Sequence, residues 1–130
     1  MEENTKELLA KWANGLGLQD WVIELEEGKY ELKIDGCAGC TEWTESNKTA
    51  LIQLIHPDAY GERIVPYDKE KTLVHELLHL KFCLLGESGN DLQDRLVHQL
   101  IDDLAKALVE AKRWGMQITG KEWHDTTISQ

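Results

Sequence analysis

The sequence predicts an α+β domain, and three observations carry that expectation. One amphipathic segment opens the chain, alternating apolar and polar residues fill its middle, and two long stretches of helical periodicity follow. At the start, Leu8, Leu9 and Trp12 recur at helical spacing within residues 3–14, and Asn14-Gly15 supplies a stop. Residues 21–26 set Trp21, Ile23 and Leu25 against Glu24 and Glu26, the period-two pattern of a half-buried strand. Gly28 turns the chain toward a second short strand at 30–34, so the two read as a hairpin. After a loop at 35–40, residues 41–44 are β-prone, 45–48 read as a turn, and 49–55 is the most apolar strand candidate. The expectation is a small, mostly antiparallel sheet of three to four strands.

His56-Pro57-Asp58 ends that sheet, and residues 58–66 read as a loop. A long apolar helix is expected over 68–85, with acidic residues in its first turn and Gly86 as its stop. A second begins at Asp91 and runs to about Arg113, with Leu92, Leu96, Leu100, Leu104 and Leu108 as its apolar stripe, widened by Val97, Ile101 and Ala111. The tail, 115–130, is polar and reads as loosely packed. A chain of 130 residues suits one domain, 1–130, with one core and no need of disulfide staples.

Charge narrows the partners. With 24 acidic and 14 basic residues the net charge is −10, which repels phosphate backbones and argues against nucleic acid. The acidic, amphipathic start lacks the chemistry of a secretory signal, and no apolar run reaches the 18 or so residues of a membrane span. A cytoplasmic chain with no membrane role is expected. Its three cysteines then have no reason to pair. Cys37-Ala38-Gly39-Cys40 has no second pair to complete a zinc knuckle and precedes a β-prone run, so free loop thiols are the expectation; Cys83 reads as core. The tryptophans show no regular spacing and read as core and rim.

Chemistry concentrates in His75-Glu76-Leu77-Leu78-His79. Four residues are about one helical turn, so both imidazoles leave the same face and can share one metal ion. Glu76 leans toward the same cavity, where it can take a proton from water that a zinc ion has acidified. Leu73, Val74 and Leu80 surround the motif, which disfavours two freely solvated histidines.

Catalytic zinc normally takes three protein ligands. Candidates for the third are His56, His98, His124 and a carboxylate such as Asp102 or Asp103. His98 is preferred, because an antiparallel second helix returns it over the motif, on a flank near Ile101 and Ala105. Asp102, one turn further, is placed to orient His75 or His79 from outside the ligand set.

With these residues quoted, the chain resembles the gluzincin branch of the zincin metallopeptidases. The likeness is to the reduced minigluzincin form and to small bacterial and phage metallopeptidase-like proteins of the ImmA/IrrE type. It rests on His75, Glu76, His79, His98 and Asp102 and spans roughly residues 20–113. The resemblance implies a zincin-like fold and a zinc-dependent peptidase acting on a peptide or protein substrate. Glu76 is then the catalytic carboxylate, His75, His79 and His98 the metal ligands, and Asp102 the orienting acid. It also implies a sheet-edge strand, 49–55 or its neighbour, that holds extended substrate, and an oxyanion partner among Tyr60, Tyr67 and His56. One departure stands out: the family usually places glutamate where this chain has His98. The alternative is a zinc-binding interaction or regulatory module with the same fold and no turnover.

Overall fold

The computed structural model describes residues 4–32, 37–83 and 89–119, with side chains to residue 116. Among these the chain forms helix α1 (Thr5–Gly15), strands β1 (Val22–Lys29), β2 (Gly39–Thr44) and β3 (Thr49–Ile55), the short α2 (Pro57–Tyr60), α3 (Lys69–Lys81) and α4 (Asp91–Thr119). This is an α+β arrangement with a three-stranded mixed sheet. No described helix is long and apolar enough to cross a membrane.

The sheet order is β1-β3-β2, with β3 paired parallel to β1 and antiparallel to β2. The first two strands therefore do not form a hairpin. Tyr30–Leu32 is not strand, and the rest of the expected second strand lies outside the described residues. Composition explains the order. Ala50, Ile52, Gln53, Leu54 and Ile55 of β3 are all buried, so this strand takes the centre, where both of its edges are paired. The glutamate-bearing β1 and β2 tolerate the edges. β1 also runs past Glu26, where a register shift before Lys29 coincides with Gly28 at φ 73°.

One core joins the layers. Leu8 and Trp12 of α1, Ile52 and Leu54 of β3, Leu73, Val74 and Leu77 of α3, and Ile101, Ala105 and Val109 of α4 form a single buried cluster. α3 is its centre: it packs on the sheet, on α1 and on α4. Each large side chain buried there contributes about 1.5–3 kcal/mol relative to exposure. A smaller cluster of Leu32, Cys40 and Ile55 sits at the end of the sheet under α2, with Tyr60 and Tyr67 against it.

Three boundaries differ from expectation. His56-Pro57 starts a helical turn rather than only ending a strand: the His56 side chain accepts from the Asp58 amide, and proline fits the first helical position. α3 ends at Lys81, with Phe82 closing its last turn; Leu85 and Gly86, expected as its end, lie outside the described residues. α4 passes through Gly115 to Thr119, so the tail does not begin at 115.

The leucine stripe of α4 is the larger correction. Leu92, Leu96 and Leu100 are 59%, 56% and 49% exposed, whereas Ile101, Ala105 and Val109 are buried. At about 100° per residue, an i, i+4 row rotates about 40° around the helix at each step. A five-leucine row therefore winds off the interface: Leu104 and Leu108 pack, and the first three leucines turn outward. The buried face of α4 is thus centred on Ile101, Ala105 and Val109, and the exposed His98 borders it, on the flank near Ile101 and Ala105.

Candidate metal centre

Three local devices set the start of α3. Asp68 caps it, accepting from the Lys71 amide at 3.1 Å. The guanidinium of Arg113 on α4 donates to both Asp68 oxygens at 2.7 and 2.9 Å, which holds the Asp68 carboxyl below its usual range. Glu70 accepts from Trp12 of α1 at 2.8 Å and from Lys112 of α4 at 2.5 Å, so one carboxylate ties three helices together.

From this start α3 projects Lys71, His75 and His79 along one row. α4 runs antiparallel beside it and projects His98, Asp102 and Lys106. The rows meet as rungs: the His79 and His98 ring centres lie 5.3 Å apart, and His75 Nδ1 lies 3.3 Å from Asp102 Oδ1. His75 to His79 and His75 to His98 are 5.0 and 5.2 Å between ring centres. One nitrogen from each of the three imidazoles falls within 4.8 Å of the others.

That donor set suits a soft-to-borderline divalent ion. Metal–nitrogen bonds of 2.0–2.1 Å in a tetrahedron put ligand nitrogens roughly 3.3 Å apart, a modest closure from the observed spacing. Burial lowers His79 to about 4 and, against the pull of Asp102, also lowers His75, so both rings are neutral at pH 7 with a lone pair to give. In the tautomer that donates from His75 Nδ1 to Asp102, Nε2 keeps that lone pair for the cluster.

Glu76 lines the same cleft and faces β2. It is 6% exposed, and burial raises its carboxyl to about 7 against the opposing hydrogen bond from Thr41. Thr41 Oγ1 donates to Glu76 Oε1 at 2.5 Å. Gly39 completes the contact: a β-carbon there would lie 2.8 Å from Thr72 Cγ2 and 3.1 Å from Glu76 Oε2. The sequence marked residues 41–44 only as β-prone, so Thr41 and Gly39 are partners that the reading missed. No local pattern encodes them, since they reach Glu76 across the fold.

These groups share a cleft of about 680 Å³ between α3, α4, β2 and the 60–68 segment. The other candidates separate by position. His56 caps α2 and stacks on Tyr30 at 4.6 Å between ring centres, away from the histidine cluster. His124 lies outside the described residues. Asp103 is exposed and outside the cleft lining, whereas Asp102 lines it. Tyr60 and Tyr67 both line the cleft, but Tyr60 donates its hydroxyl to the Val65 carbonyl at 2.7 Å. Among the described residues the buried Tyr67 hydroxyl has no hydrogen-bond partner, and burial raises it to about 12. Cys37 and Cys83 are free thiols, Cys40 is buried at the start of β2, and burial also raises Cys83.

Compared with protein-family models, with curated proteins and with solved structures, the chain matches none.

Proposed function

We propose that this protein is a zinc-dependent peptidase, with His75, His79 and His98 as the protein ligands and Glu76 as the proton carrier. The observation that carries the reading is the convergence of three imidazole nitrogens within 4.8 Å, one residue along the helix from a deeply buried carboxyl. A zinc ion held there would acidify water and polarise a peptide carbonyl. The chain supplies the remaining parts. Glu76, raised to about 7, exchanges a proton near neutrality, accepting it as a carboxylate and returning it to the leaving amine. Thr41 occupies Oε1, which leaves Oε2 to handle the proton. Asp102 fixes the orientation of His75. β2, an edge strand that borders the cleft, offers backbone groups to an extended peptide.

On this reading the fold is a small zincin-like one of the gluzincin kind, with His98 where glutamate is usual. Three neutral ligands leave the centre one charge more positive than two histidines and a carboxylate. Metal analysis after reconstitution should find about one zinc per chain. Glu76→Gln should keep that zinc and lose cleavage of a peptide library by at least ~100-fold. Failure to take up zinc overturns the proposal; zinc with no cleavage by the unaltered chain points to a non-catalytic binding module.

A further inference from the structure

The two helical rows that build the histidine cluster continue one step beyond it. His79 faces His98 and His75 faces Asp102; the same four-residue steps set Lys71 of α3 against Lys106 of α4, and both line the cleft. Both are cationic side chains on the wall of one cleft, and a cation there gains from an anion brought in by a ligand. Among the described residues neither ammonium forms an ion pair, although the Lys71 charge helps to hold the Asp68 carboxyl down. The acids nearby make their short contacts elsewhere, Asp68 with Arg113, Glu70 with Lys112 and Asp102 with His75. In a chain with 24 acidic residues against 14 basic ones, two lysines outside any ion pair on one cleft wall stand out as partners for an external anion.

We propose that Lys71 and Lys106 form a carboxylate-binding subsite, so that the favoured peptides present an acidic side chain or a free C-terminal carboxylate. The proposal rests on the peptidase reading for its ligand class. A helical turn of four residues rises about 6 Å, and an extended peptide advances about 3.3 Å per residue. The carboxylate therefore belongs about two residues from the bond held at the histidine cluster. A single negative charge suits the site better than a phosphate dianion, because Asp68 and Asp102 share the wall.

The test is binding, read without turnover. Fluorescence anisotropy with zinc-loaded Glu76→Gln protein compares three labelled alanine-based peptides: one amidated and neutral, one amidated with a glutamate, and one neutral with a free C-terminus. The expected result is at least ~10-fold tighter binding of one or both carboxylate peptides, weakening as salt rises. Which of the two gains identifies the source of the carboxylate. Adding Lys71→Met and Lys106→Met should erase the preference, and Lys106→Arg should keep it. Equal binding of all three peptides, no binding of any, or a preference that survives the double lysine change overturns the subsite. If the unaltered protein cleaves nothing while the lysine-dependent preference persists, the subsite stands and the peptidase reading falls. Cleavage of the neutral peptide with no carboxylate preference has the opposite meaning.

Discussion

At Glu76 burial and hydrogen bonding oppose each other, and burial wins, placing the carboxyl at about 7. The consequence for stability has a definite sign in the metal-free protein. The folded state holds the Glu76 proton from its ordinary 4.5 up to about 7, while the unfolded chain has already released it, so this residue's contribution falls as pH rises through that window. Glu76→Gln removes the loss. The variant should gain on the metal-free parent between pH ~5 and ~8, toward a ceiling on the order of 3 kcal/mol, read by urea unfolding. A difference that stays flat with pH would show that Glu76 is not held protonated by burial. Gly39 is tested separately. An added methyl would press on Thr72 and on Glu76 from 2.8 and 3.1 Å, so α3 or β2 must shift. Gly39→Ala should cost about 1–3 kcal/mol and depress cleavage, whereas Gly15→Ala, which meets nothing within 4 Å, should be neutral or mildly stabilising. Equal behaviour of the two variants in thermal unfolding would remove the packing argument.

At the scale of elements, α3 and α4 show what sequence periodicity reveals and where it stops. His75, Glu76 and His79 were legible because their relation is local to one helix turn. His98 and Asp102 were reachable because an antiparallel helix pair maps one row onto another. The direction of β1 was not legible: Val22–Lys29 alternates in the same way whichever neighbour it chooses, and β3 at the centre decided it. The exposed Leu92, Leu96 and Leu100 were misread for a geometric reason, since a row of leucines reads as one face only if its rotation is ignored. The Glu70 tie was invisible because Trp12 and Lys112 lie 58 and 42 positions away. That tie has a measurable worth. Glu70 and Lys112 side chains are 13% and 11% exposed, and removing one partner of a buried pair leaves the other charge uncompensated. Glu70→Ala should cost about 3 kcal/mol and loosen α1 and α4 together, visible as faster amide exchange in both helices. Asp102 acts at the same level, across the helix pair. Asp102→Asn should weaken zinc binding roughly 10- to 100-fold while leaving the fold intact; unchanged affinity would mean that it does not orient His75.

For the molecule as a whole, the cluster joins α3 to α4, so a bound ion would act as a cross-link between the motif helix and the longest helix. Binding to the folded state alone stabilises by about 2.7 kcal/mol when free ligand is a hundred times its dissociation constant. In a chain of this size that corresponds to a rise of roughly 10 °C in the unfolding midpoint. The pH dependence of that rise follows from the histidines. His79, lowered to about 4, binds its proton in the unfolded chain near 6.5 and in the folded one only near 4, so its contribution to metal-free stability is present above 6.5 and is lost as pH falls toward 4. His75 moves in the same direction. Glu76 moves in the opposite one over much the same window, so the metal-free parent should show a flatter profile than Glu76→Gln, whose stability should climb with pH from about 4 to 6.5. Zinc meets His75 and His79 rings that are already neutral at pH 7, so its stabilisation should change little above about 6.5 and fade in acid as protons compete for the same nitrogens. Calorimetric scans with and without zinc at several pH values measure all of this. His98→Ala should lose most of the shift at every pH, because two ligands on a single helix no longer bridge to α4. A full zinc shift in that variant would remove His98 from the centre, and with it the cross-link between the helices.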